Sequence, residues 1–109
     1  MLVELFGSQT TVKCLLYLEA LREGYPSEIS KAFGISNTQV NRTLEKLEQA
    51  DILVAQPKGR ARVYSFNKRW LLFPELDALL AKVVRNMPIE DREKYFATRK
   101  RPRKKNKTL

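Results

Sequence analysis

Three residues, Gly34-Ile35-Ser36, separate two helical patterns, and this short interval constrains the fold more than any other feature of the chain. Upstream, Pro26 suits a first helical position, where its missing N–H would have no partner anyway. Glu28 favours the positive end of the helix dipole. Ile29, Ala32 and Phe33 follow at i, i+3, i+4, and Gly34 supplies the left-handed residue that stops a helix. Downstream, Ser36 is an N-cap with Gln39 three residues on, an S-x-x-Q capping box, and Ile35 with Val40 fits a hydrophobic staple across it. Val40, Leu44 and Leu47 mark the buried side of this second helix. Helix, three-residue turn and helix together have helix-turn-helix spacing.

The flanking segments extend the pattern. Ile52–Ala55 is short and partly β-branched, Arg62–Phe66 alternates, and Pro57-Lys58-Gly59-Arg60-Ala61 between them is turn-forming. A β-hairpin with a basic tip therefore follows the helix pair directly. Before the pair, Ser8–Arg22 reads as a helix with apolar residues on nearly every side, Val12, Leu15 and Leu16 on one and Tyr17, Leu18 and Leu21 on others. Such a helix needs more than one surface against which to bury itself, and a partner chain is one source of the second. After the hairpin comes the apolar knot Trp70-Leu71-Leu72-Phe73, then Pro74, then Leu76, Leu79, Leu80, Val83, Val84 and Met87 on one helical stripe that stops near Asn86 and Pro88. The expected fold is mainly α with a small β-hairpin (α+β), a winged helix-turn-helix over residues 1–87. Residues 88–98 form a short extension of one or two helical turns, and 99–109 a basic tail that is disordered when free.

Composition limits what this fold can be used for. A chain of 109 residues that is 43% hydrophobic supports one domain with one modest core. Chains this small often gain stability by dimerising. No apolar run approaches the roughly 20 residues of a membrane span, and Met1-Leu2-Val3-Glu4 lacks the basic start of a secretory signal. Cys14 is the sole cysteine, which excludes an intrachain disulfide and points to an intracellular site. On a buried helix it reads as a structural thiol rather than a redox sensor. With no histidine, no phosphate loop, no nucleophile–base pair and no cluster of metal-ligating residue types, an enzyme is not expected. The net charge of +9 is concentrated: residues 99–107 hold seven cations and no acid, leaving +2 for residues 1–98. Such an excess favours polyanions.

Residues 5–80 resemble the ArsR-like winged helix-turn-helix regulators of bacteria and archaea. The resemblance is carried by ISNTQVNRTLEKLEQADILV at 35–54 and PKGRARVYSFN at 57–67: the Ser36 cap, the Val40–Leu44–Leu47 spine, a short strand, and a Gly59-Arg60 wing ending in Tyr64 and Phe66. The opening Leu5-Phe6-Gly7-Ser8 is also similar. The resemblance implies a homodimeric, sequence-specific transcription regulator of double-stranded DNA, located in the cytoplasm at a prokaryotic nucleoid, with no cofactor and no membrane partner. Two departures stand out. Asp51 occupies a turn where the family often has Gly. The paired Cys or His ligands of metal-sensing members are missing, so the chain resembles a member that does not sense metal, and no metal is expected.

Within that reading, the helix after Ser36 is the recognition helix. Thr38, Arg42 and Glu45 lie most nearly opposite its apolar stripe, flanked by Gln39 and Asn41. Asn and Gln can bond adenine bidentately and Arg can bond guanine. Ser36 and Asn37 sit where N-terminal N–H groups favour phosphate. Lys46 adds a cation, whereas Glu45 and Glu48 repel phosphate and are expected farther from the groove, paired with Lys46 or Lys31. The wing carries Lys58, Arg60 and Arg62, with Lys68 and Arg69 beyond, and an Arg at a wing tip can enter a narrow A·T minor groove. The tail cations Arg99, Lys100, Arg101, Arg103, Lys104, Lys105 and Lys107 are expected to bind DNA without sequence preference, with solubility or nuclear import as the alternatives. Leu76, Leu79, Leu80, Val83, Val84 and Met87, with the apolar 8–22 helix, are the expected dimer interface, and Trp70 and Phe73 packing or dimer residues. The rival reading is a winged-helix module for protein–protein contact within a larger nucleic-acid-associated complex.

Overall fold

The computed structural model describes residues 2–96. The tail Arg99–Lys107, including its expected contacts, lies outside the described residues. Six helices and three strands follow in chain order: α1 Leu2–Phe6, α2 Gln9–Leu21, β1 Glu23–Gly24, α3 Pro26–Phe33, α4 Asn37–Gln49, β2 Leu53–Lys58, β3 Ala61–Phe66, α5 Phe73–Arg85 and α6 Ile89–Phe96.

Local chemistry accounts for most boundaries. Ser8 caps α2, its side chain accepting from the Thr11 N–H at 3.3 Å, and Ser36 caps α4 by accepting from the Gln39 N–H at 3.2 Å. The Glu28 carboxylate closes the start of α3 from inside the helix, accepting from the Tyr25 N–H at 3.1 Å. Gly34 ends α3 at φ +68°, and the Ile35 N–H returns to the Ser30 carbonyl. The end of α4 has the same Schellman pattern: Ile52 N–H bonds the Leu47 carbonyl and Asp51 N–H the Glu48 carbonyl. Here the left-handed residue is Asp51, at φ +67°. Asp tolerates this region less well than Gly. Asn67 supports the turn, its Nδ2 donating to the Asp51 carbonyl at 2.9 Å and its N–H to the Ile52 carbonyl.

The sheet has order β1-β3-β2 and is antiparallel throughout. The hairpin turn is shorter than expected. Pro57 and Lys58 belong to β2, pairing with Arg62 and Ala61, and only Gly59 and Arg60 link the strands, with Gly59 at φ +63°. Pro57 is tolerated because β2 is an edge strand, where a missing N–H breaks no interior ladder. The third strand, β1, is too short to show a pattern in the sequence. It lays Gly24 opposite Tyr64 and directly over the Tyr17 ring, where a Cβ would stand 2.8 Å from a ring carbon. A side chain at this position would force β1 off the core.

The core is built around α2. Cys14, Leu15, Tyr17 and Leu18 are at most 1% exposed, and they meet Ile29 of α3, Val40 and Leu44 of α4, Leu53 and Tyr64 of the sheet, and Leu80 of α5, each at most 1% exposed. Burying such side chains contributes roughly 1.5–3 kcal/mol each. The expectation that a partner chain supplies a second surface for this helix is corrected. Contacts from α1, α3, α4, α5, α6, β1 and β3 of the same chain surround α2. Much of the remaining cover comes from α6, which is part of the core rather than an appendage. Phe96 is 6% exposed and meets the Tyr17 and Phe33 rings edge-on at 6.2 and 6.3 Å, while Tyr95 stacks on Phe33 at 4.7 Å.

One carboxyl is enclosed between α2 and α5. Glu19 is 9% exposed and its Oε1 has no hydrogen-bond partner, while Asp77 of α5 lies within hydrogen-bonding reach of the same carboxyl. Two carboxyls can bond each other only if one keeps its proton. Burial first, and then Asp77, push Glu19 up to about 7, against the opposing charge of Arg22. Burial likewise pushes the Cys14 thiol up to about 12, leaving it a packed, protonated side chain.

Candidate nucleic-acid interface

The amphipathic pattern of α4 determines which of its residues face outward. Val40 and Leu44 are fully buried and Leu47 packs against the core, so the opposite face is presented to solvent. Ser36, Asn37, Thr38, Gln39, Arg42, Glu45 and Lys46 are exposed, and Asn41 is half-buried. The Asn41 amide is engaged within the helix, its Nδ2 donating to the Asn37 carbonyl at 2.9 Å. The first turn of α4 combines exposed N–H groups with a Ser cap and no acidic residue, the arrangement that suits an anion.

The hairpin rises beside this helix. Lys58, Gly59, Arg60, Ala61 and Arg62 are exposed, and the groove between hairpin, α4 and the start of α3 is lined by Tyr25, Asn37, Asn41, Glu45, Arg60 and Arg62. Lys58 and Arg60 make no ion pair among the described residues, and neither do Arg42 and Lys46. Arg62 differs. Its Nη2 donates to both Glu48 carboxylate oxygens, at 3.0 and 3.2 Å, and its guanidinium lies 5.5 Å from the Tyr64 ring centroid. Glu48 therefore pairs with the wing, not with Lys46 or Lys31 as expected. Burial raises the Tyr64 phenol above its ordinary value, with Arg62 opposing. Of the two tyrosines of this face, Tyr64 is marked in the sequence only as the strand residue that ends the wing, and Tyr25 does not stand out because it reads as a turn residue. The Glu48–Arg62 pair spans 14 positions and no local periodicity reveals it. Arg69 lies in the turn after β3, where its N–H bonds Asn67 Oδ1.

The residues expected to join two copies divide. Leu80 is fully buried within its own chain. Leu76, Val83, Val84 and Met87 are partly buried against the same core, and Leu79 is 38% exposed. Leu72 and Leu71, just before α5, are 50% and 84% exposed. Phe73 packs near Phe66 at 5.9 Å between ring centroids. Among the described residues no group of three or more His, Cys, Asp or Glu side chains is placed to hold a metal ion, and no helix is long and apolar enough to cross a membrane.

No family model matches the chain, and no curated protein matches it in sequence. Its fold does match solved structures. The adhesin competence repressor AdcR from Streptococcus pyogenes superposes with a TM-score of 0.57 at 14% identity, over 79% of this chain and 72% of that one. The homodimeric winged helix-turn-helix DNA-binding domain of Mb0332 from Mycobacterium bovis, a possible ArsR-family regulator, has a TM-score of 0.54 at 20% identity, over 73% of this chain and 68% of that one. The transcriptional regulator Tm0710 from Thermotoga maritima has a TM-score of 0.55 at 18% identity, over 85% and 72%. The fold is that of a winged helix-turn-helix domain.

Proposed function

We propose that this protein is a sequence-specific regulator of transcription that binds double-stranded DNA as a homodimer. The observation that carries the reading is the alignment of two independent features on one face. The polar outer side of α4 and the cationic wing tip project beside each other, while the apolar side of α4 is consumed by the core. In this reading Ser36 and Asn37 take a phosphate, Thr38, Gln39, Arg42 and Lys46 face the major groove, and Lys58 and Arg60 track the backbone or the minor groove. Asn41 faces the groove as well, once its amide leaves the Asn37 carbonyl. The tail cations add affinity without sequence preference. The protein acts in the cytoplasm and is not an enzyme. Metal sensing of the Cys/His type is not proposed, because the chain has no histidine and Cys14 is enclosed and protonated.

A second reading rests on Glu45 and Glu48, two acids on the outer side of the helix that would face phosphate. They suit a winged-helix surface that meets a basic protein segment inside a larger complex. Selection of the full chain against a random duplex library at fixed salt separates the two. Enrichment of a defined motif supports the regulator, and recovery of unenriched sequence, with binding that is weak and lost as salt rises, supports the protein-contact module.

A further inference from the structure

Deepening the DNA-binding reading, on which it rests, we propose that Glu48 is the positioning residue of the wing. Its carboxylate holds Arg62 onto the recognition helix, withholds that charge from phosphate, and sets the distance between wing tip and reading face.

The geometry is a clamp with three sides. Arg62 stands in β3, pairing with Pro57 across the hairpin. One guanidinium nitrogen is chelated by both oxygens of Glu48, at 3.0 and 3.2 Å, and the guanidinium also lies over Tyr64. Tyr64 is 1% exposed and fixed in the core, so the clamp has a rigid floor. The clamp explains an otherwise awkward acid: Glu48 sits on the outer half of a helix that should approach a polyanion, and its charge is answered locally. Exposed pairs of this kind contribute little to folding. Their effect is on arrangement: Leu53, Val63 and Tyr64 anchor the base of the hairpin in the core, whereas its 58–62 end is exposed and Glu48 is the side chain that ties it to α4. Glu45 is the built-in control. It lies one turn earlier on α4, carries the same charge, and pairs with no cation among the described residues.

The test measures binding of the full chain to a random-sequence duplex of about 30 base pairs and to the best sequence enriched from a random library, across a salt series. Wild type, Glu48→Gln, Glu45→Gln, Arg62→Gln and the Glu48→Gln/Arg62→Gln double variant are compared. In Glu48→Gln the freed Arg62 reaches phosphate, so the slope of log K against log salt steepens by about 0.9 per protomer. The ratio of enriched to random binding falls about fivefold, within the range that couplings between touching residues reach. Arg62→Gln in the wild-type background leaves the slope unchanged, and in the Glu48→Gln background it restores the wild-type slope. Glu45→Gln removes the same charge without freeing a cation, so affinity rises on both duplexes while the slope stays near wild type. Equal slopes for Glu48→Gln and Glu45→Gln, or a shallower slope for Arg62→Gln alone, overturn the clamp while leaving DNA binding intact. Failure of the wild-type chain to bind either duplex overturns both readings together.

Discussion

Helices α4 and α5 are both 13 residues long, both amphipathic and both packed on α2, yet their outer faces differ. On α4 Val40 and Leu44 are buried completely, Leu47 is partly buried against the core, and the outward face is polar from Ser36 to Lys46. On α5 only Leu80 is buried completely. Leu79 remains 38% exposed, and the segment leading in exposes Leu71 and Leu72. One core therefore supports two helices whose outer faces differ: α4 presents polar side chains, whereas α5 presents Leu79 among the charged Glu75, Lys82 and Arg85 and follows the exposed Leu71 and Leu72. A monomer gains nothing from leaving large apolar side chains in water, whereas a second copy of the same face would cover them.

The largest expected effects test whether the inner faces are as alike as the outer faces are different. Leu44→Ala and Leu80→Ala should each destabilise the fold by roughly 2–5 kcal/mol in denaturant unfolding, since both side chains are fully enclosed. Near-neutral behaviour of Leu80→Ala would place α5 outside the folding core. Next comes the Glu19–Asp77 contact between α2 and α5. Glu19 holds its proton in the folded state to about 7, against an ordinary value of 4.5. Below 4.5 both folded and unfolded chains are protonated there and the group is neutral to stability. Between 4.5 and 7 the unfolded chain has released a proton that the folded chain retains, so stability declines as pH rises, and above 7 the deficit is constant. Glu19→Gln should remove this decline, with a gain of about 1–3 kcal/mol near pH 8 and little change near pH 4. Parallel pH profiles for variant and wild type would show that the carboxyl ionises freely.

The outer faces are probed by smaller changes. Arg42→Ala should cost about 1–3 kcal/mol of discrimination at particular base pairs, read by competition against single-substituted duplexes, while leaving the melting temperature unchanged. Leu79→Glu should weaken self-association by about tenfold, or ~1.4 kcal/mol, in sedimentation equilibrium. Circular dichroism should remain native, because Leu79 points away from the core. Leu80→Glu would not serve the same purpose, since a buried charge there unfolds the monomer.

The helix pair was legible because its punctuation is chemical and local. Pro26, Gly34 and Ser36 each act within a few residues, and the structure uses each at the position the pattern implies, whereas Gln39 takes part through its N–H and the return bond of the expected capping box is not formed. What escaped depends on contacts distant in sequence. Gly24 is confined by Tyr17 and Tyr64, yet β1 is two residues long and shows no alternation. The 88–98 segment reads as a mixed extension of one or two helical turns, and Tyr95 and Phe96 become core residues only when α2 and α3 place Tyr17 and Phe33 beside them. The apolar circumference of α2 was visible, but its occupants were not: periodicity shows that a face must be covered without showing that the cover belongs to the same chain. On the candidate interface, the outward set on α4 follows from its stripe. The Glu48–Arg62 clamp does not, because it depends on how the hairpin folds back.

The central claim is that the α4 face reads DNA while the α5 face joins two copies, and a hydroxyl-radical footprint of the full chain on its enriched duplex tests both halves at once. The account predicts an inverted repeat protected at two patches about 10–10.5 base pairs apart, or a multiple of that spacing, with two chains bound per duplex. A single protected patch, bound tightly by one chain, would contradict it.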